Sequence, residues 1–240
     1  MTRKLEVCSF NLTDFNKIIK HKVSRVELCV KKEVGGITPP YSDIEYATSK
    51  NIPIHPIIRT RPGNFIYNRK ELNEMIDSVK YCRDIGCKGI VLGILDKSNA
   101  IDYVNCKKLV KESRGMSLTF HMAFDLTLDP FLSMEKIIDL GFDRILTSGQ
   151  KESAESGINL INELAEKGEK RISIMPGSSV RSSNIDLFLQ NKLIDEFHSS
   201  CYINNKFSEK ELKLLSKACL LYTSDAADDT PCVDLGGRRI

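Results

Sequence analysis

SLTFHMAFD, residues 117–125, is the stretch whose reading decides the fold. As a strand it sends Leu118, Phe120, Met122 and Phe124 to one face, and Thr119, His121, Ala123 and Asp125 to the other. The apolar face suits a layer of helices. The opposite face carries an imidazole and, at its far end, a carboxylate. Asp129-Pro130 then predicts a helix start, with Asp129 as N-cap and Pro130 in the first turn. The unit is strand, short polar loop, helix.

Working outward, the same grammar recurs. Strand patterns are predicted at 4–8, 25–30, 53–59, 89–95, 117–125, 143–149, 171–177 and 196–202, with starts 21 to 36 residues apart. Helical patterns lie between them, at 71–85, 130–140 and 157–167, and the residue just beyond each is Gly86, Gly141 or Gly168. Eight βα units at this spacing predict a single (β/α)8 TIM barrel over residues 1–218. An open doubly wound sheet is the alternative, but no GxGxxG follows the first strand.

Alternation along the strands carries chemistry. If the apolar sets face the helices, the barrel interior receives Glu6, Glu27, His55, Arg59, His121, Asp125, Glu196 and His198. Buried charge survives only as pairs, networks or ligands, so this set predicts either an interior salt-bridge network or a site. Barrel sites lie at the C-terminal strand ends, where Arg59 and Asp125 fall.

Composition narrows the classes. The 240 residues carry 35 Lys+Arg against 32 Asp+Glu, a net +3 too small to suggest nucleic acid or an acidic membrane as partner. MTRKLEVCSF has no apolar signal core, and no run approaches a membrane span. The eight cysteines form no CxxC pair, and several fall inside strand or helix patterns, so reduced thiols and a cytoplasmic location are expected.

The motifs KLEVC, RVELC followed by EVGGITP, IRTRPGNFIY, LTFHMAFD, DRILTSGQ, IMPGSSVR and EFHSS, in this order over residues 3–203, resemble the CutC family. The resemblance implies a cytoplasmic TIM barrel that binds copper and serves copper tolerance. It also carries two departures: Arg61-Pro62-Gly63-Asn64 stands where the family reads a PRGGDF-like loop, and Met175-Pro176-Gly177-Ser178-Ser179 replaces MPGGGV.

Two chemistries follow. Copper(I) prefers thiolate, thioether and imidazole ligands; Cys8 and Cys29 end adjacent strands on one face, and His121, Met175 and His198 could join them. Cysteines so placed also occur as small buried hydrophobes. Glu6, Glu27, His55, His121 and Asp125 make an oxygen-and-imidazole set suited to a divalent metal. The alternative is a barrel enzyme using Mg²⁺, Mn²⁺ or Zn²⁺ on a small anionic or phosphorylated substrate, with Glu27, His121 and Asp125 catalytic. Arg59, Arg61, Thr147, Ser148, Gly177 and Ser178 would then hold the anion, the last two before a helix near Ser182. No reaction can be named, and a homodimer stays open.

The end of the chain departs from this grammar. Back-translated, residues 219–228 resemble a transposase adapter and residues 232–240 a flow-cell adapter of sequencing libraries. Residues 219–240 are therefore expected to be adapter read-through outside the fold.

Overall fold

The computed structural model describes residues 3–225. Eight parallel strands alternate with helices: β1 Lys4–Ser9, β2 Arg25–Leu28, β3 Ile54–Pro56, β4 Gly89–Leu92, β5 Ser117–Phe120, β6 Arg144–Thr147, β7 Ser173–Pro176 and β8 Glu196–Ser199. The ladders run β3-β2-β1-β8 and β4-β5-β6-β7. The parallel bridge Ile57–Val91 joins β3 to β4, and β7 packs beside β8, closing the ring in sequence order. This is the predicted (β/α)8 barrel.

Apart from β1, the strands are shorter than predicted, because their C-terminal ends turn into loops. β5 stops at Phe120. There the His121 Nδ1 accepts the Ala123 N–H at 3.2 Å, capping a 3-10 turn over Met122–Leu126. A local side-chain bond has displaced the ladder. Asp125 therefore sits in that turn and not on a strand face pointing inward.

Helices α1 Leu12–Ile18, α2 Tyr41–Thr48, α3 Arg69–Asp84, α4 Tyr103–Glu112, α5 Pro130–Leu140, α6 Ile158–Gly168, α7 Ile185–Leu189 and α8 Glu209–Asp225 surround the ring. Asp129 caps α5 by accepting from the Phe131 and Leu132 N–H groups, and Gly141 ends it at φ 87°, both as predicted. The last helix, α8, runs past residue 218, where the barrel was expected to end. Cys219 is buried in the core with Leu212 and Leu215. Residues 226–240 of the expected adapter segment lie outside the described residues.

The strand faces divide as the alternation predicts. Leu5, Val7, Val26, Leu28, Leu118, Phe120, Ile145, Ile174 and Phe197 belong to the large core under the helices. A smaller apolar cluster, Cys8, Cys29, Ile57 and Val91, lies on the other face. No helix among the described residues is long and apolar enough to cross a membrane.

Candidate functional site at the barrel mouth

The interior is an ionic network. Arg25 reaches Glu6 Oε2 and Glu196 Oε2, each at 2.5 Å, and its Nη2 donates to Met175 Sδ at 3.1 Å. Arg144 pairs with Glu196 at 3.1 Å and donates to Thr119. These contacts join β2 to β7 and β6 to β8, which are not neighbours, so they cross the barrel axis. Above them, His198 Nδ1 lies 2.7 Å from Glu6 Oε1, and its Nε2 lies 3.6 Å from Glu27 Oε2. Three carboxylates thus face two guanidiniums and one imidazole. Burial opposes the Glu6 charge, yet Arg25 and His198 hold its carboxyl well below the usual range. Burial likewise opposes an imidazolium at His198, yet the bond to Glu6 and the charge of Glu27 raise its pKa. Glu27 is pushed up by burial.

Two glycines on or just after β4 make room for imidazoles from neighbouring strands. A Cβ at Gly89 would lie 2.4 Å from His55 Cε1, and one at Gly93 would lie 2.7 Å from the His121 ring. Both rings are kept neutral. Burial lowers His55 to about 4; burial, then the Arg59 charge, lowers His121 to about 3.

Above the network a cavity of about 420 Å³ opens at the C-terminal mouth. Cys8, Glu27 and His198 form part of its wall, with Arg59, Phe65 and His121 from the loops after β3 and β5, and Ser178, Ser179 and Arg181 from the loop after β7. Beside it the sulfurs of Cys8 and Cys29 stand 3.0 Å apart, both within 4.8 Å of a Glu27 oxygen. Burial raises the pKa of both thiols.

This arrangement has relatives. The CutC family profile matches residues 3–203. The CutC family protein of Pasteurella multocida (strain Pm70) is 41% identical over 198 residues, 82% of this chain and 81% of that one. The chain belongs to the CutC family. A CutC crystal structure from Streptococcus agalactiae superposes with a TM-score of 0.78 at 36% identity, covering 82% of this chain and 98% of that one. The 2-keto-3-deoxy-6-phosphogluconate aldolase of Zymomonas mobilis shares the barrel alone, with a TM-score of 0.57 at 13% identity, covering 92% of this chain and 93% of that one.

Within this CutC barrel, the predicted site residues separate into groups. Cys8 and Cys29 meet, as do Glu6, Glu27 and His198. His55 joins neither cluster that could hold a metal, and the Met175 sulfur already accepts from Arg25, so both leave the expected metal ligands. Arg59 and His121 line the cavity, but His121 is ill suited to act as a base. Its Nδ1 accepts from a backbone N–H, and no carboxylate shifts it. Thr119, His121 and Asp125, placed on one strand face by the alternation, do not join Glu6 and Glu27 in either cluster. Thr119 accepts from Arg144 instead.

Asp125 is a loop organiser. It accepts from Thr147 Oγ1 at 2.5 Å, the Ser148 N–H at 3.0 Å and the Gln150 N–H at 2.9 Å, which removes Asp125, Thr147 and Ser148 from the cavity. Arg61 pairs with Glu71 at 2.6 Å and donates to the carbonyls of Pro62, Asn64 and Ile66, so it holds its own loop and no ligand. Gly177 leaves space for Leu146, whose Cδ1 would lie 2.4 Å from a Cβ there, and it is not part of the cavity wall. Ser178 is part of that wall, although its hydroxyl donates to the Glu152 carbonyl.

The helix expected near Ser182 begins only at Ile185 and has five residues, too short for a phosphate-binding N-terminus. Ser178 and Ser179 take φ 68° and 62°, so serine occupies left-handed positions that favour the glycine of the commoner motif.

Sequence reasoning missed three arginines. Arg25 was legible as the residue two before Glu27, on the same strand face. Arg144 has the same kind of signal on β6. Arg181 had none beyond closing the IMPGSSVR motif, because its loop carries no periodicity.

Proposed function

We propose that this CutC-family barrel serves copper homeostasis in the cytoplasm by holding one copper(I) ion at Cys8 and Cys29. The observation that carries the reading is the pair of sulfurs 3.0 Å apart at the edge of an open cavity. Two soft donors suit copper(I). At about 2.3 Å per metal–sulfur bond, sulfurs sharing one ion stand at most about 4.6 Å apart, so the pair lies within span. Both thiols must lose a proton on binding. Glu27, within 4.8 Å of both sulfurs, is the nearest carboxylate to receive one. Affinity therefore rises with pH as protons are released. Cys8, Cys29, Cys82, Cys87, Cys106 and Cys201 carry no disulfide, which supports a reducing compartment.

The divalent-metal enzyme has weaker support. Glu6 is already bonded to Arg25 and to His198, leaving the Glu6–Glu27–His198 cluster without an open position.

Anaerobic competition against a chromogenic copper(I) chelator, with ascorbate as reductant, tests the proposal. One copper per chain is expected, weakened at least a hundredfold in Cys8→Ser and in Cys29→Ser and unchanged in Cys106→Ser. Equal retention by all four proteins would move the copper role away from this pair.

A further inference from the structure

The charges at the cavity do not balance, and the imbalance identifies a second ligand. Inside the barrel, Glu6, Glu27 and Glu196 are matched by Arg25, Arg144 and His198. Arg59 and Arg181 are additional. Arg59 is 6% exposed. Its Nη1 donates to the carbonyls of Val34 at 2.8 Å and Gly36 at 3.0 Å, and its Nη2 to that of Gly63 at 3.0 Å. Its Nε–H is buried with no acceptor among the described residues.

Arg181 repeats the pattern. Nη1 donates to the Val180 carbonyl at 2.7 Å and to Ser199 Oγ at 3.2 Å, and Nη2 to the Tyr202 carbonyl at 3.1 Å. Among the described residues, neither guanidinium has a carboxylate within ion-pair distance. Each donates three hydrogen bonds to neutral oxygens, and the Tyr67 hydroxyl beside Arg59 is a further neutral group, so no anion among the described residues neutralises either guanidinium. A guanidinium left without an anion is of the kind that grips an oxyanion.

Their placement matters as much as their charge. Arg59 follows β3 and leans on the loop after β2, Arg181 follows β7 and leans on β8, and both guanidinium-bearing residues line the one cavity. Between them the wall is largely apolar: Phe10, Val34, Ile57, Phe65, Met122 and Leu146. The Phe65 ring lies 4.7 Å from the Arg59 guanidinium carbon and 4.8 Å from the His121 ring, which holds that side rigid. The cavity volume, about 420 Å³, falls in the range of small-molecule sites. A cation buried without a counter-charge is costly, and a bound anion relieves that cost.

We infer that the mouth of this barrel binds a small organic oxyanion, a carboxylate or phosphate ester on an apolar body, with its charged group between Arg59 and Arg181 and its body against Phe65 and Leu146. The inference is independent of copper, because neither arginine belongs to the thiol pair.

The test is calorimetric titration at low ionic strength of protein stripped of metal on a chelating resin. The probes are phenyl phosphate, benzoate, inorganic phosphate and benzyl alcohol. Phenyl phosphate or benzoate is expected to bind at least tenfold tighter than both inorganic phosphate and benzyl alcohol, and the better of the two identifies the headgroup. Arg181→Gln should weaken that binding at least tenfold, while Arg171→Gln, an equal loss of charge on the outer surface, should leave it unchanged. Thermal melting checks that each variant folds. Should Arg181→Gln not fold, Arg181→Lys, which keeps charge but loses the planar fork, should show the same loss. Absence of millimolar binding by either anion, equal binding of benzyl alcohol, or wild-type affinity in the Arg181 variant overturns the inference.

Discussion

Removing Arg25 is the sharpest probe of the interior network. Its guanidinium is 5% exposed and pairs with Glu6 and Glu196, each at 2.5 Å. In Arg25→Met the volume is roughly kept, but the three carboxylates then face only Arg144 and His198 inside the barrel, with the half-exposed Lys4 at Glu196. Each stranded carboxylate retains close partners: Glu6 keeps His198 at 2.7 Å, and Glu196 keeps Arg144 at 3.1 Å and Lys4 at 3.3 Å. The cost should therefore fall at the low end of the range for breaking a buried pair, about 3 kcal/mol. With a urea slope of about 2 kcal/mol/M, the unfolding midpoint moves down by about 1.5 M.

Adding Glu6→Gln removes the charge that Arg25 held most directly, so the double variant should be more stable than the sum of the singles by about 1–3 kcal/mol. The pH dependence gives a second reading. Burial raises Glu6 and Glu196, but Arg25 and the other cations bring both below the usual carboxylate value. Their contribution is full above about pH 4.3 and is lost as pH falls through their depressed folded values. The penalty of Arg25→Met should shrink along that acid limb. Additive singles and double, or a midpoint shift below about 0.3 M at neutral pH, would refute the network reasoning.

Other outcomes are expected. Gly89→Ala places a Cβ 2.4 Å from the His55 ring and 2.6 Å from the Ser117 carbonyl oxygen, and should cost about 1–3 kcal/mol by urea unfolding. Adding His55→Ala should recover little, since the backbone oxygen remains. His55 and His121 titrate at about 4 and about 3 in the folded chain, below the ordinary value of about 6.5. Stability from their neutral rings is present above about pH 6.5 and lost as pH falls toward those values, about 1.4 kcal/mol per pH unit for each ring. His121→Gln should remove its share of that slope. Cutting the chain after residue 218 deletes buried Cys219 and should lower the melting temperature relative to a cut after residue 225. Equal melting temperatures would show that α8 gains nothing beyond Ala218.

The sequence alone determined the barrel and its inward charge. Period-2 alternation on β1, β2 and β8 shows which side chains share a face, because a strand side chain can take only one of two sides. The strand spacing with recurring helix stops shows that eight βα units follow one another. Cys8 and Cys29 could be paired in advance for the same reason, since adjacent parallel strands keep their register.

What lies beyond the strand ends was decided by tertiary structure. Arg59 and Arg61 are two residues apart in a single motif, yet Arg59 turns to the cavity and Arg61 to Glu71, because loop side chains follow whichever acceptors the packed chain presents. Asp125 read as the end of a strand until the His121 imidazole bonded its own backbone and turned the chain, which made the carboxylate a clamp on the β6 loop. Arg181 and Arg59 share one cavity only because the ring closes and brings the loops after β3 and β7 to the same mouth. Periodicity is a property of neighbours in the chain. The charge balance that leaves two arginines for a ligand is a sum over eight strands, and it exists only once they are folded.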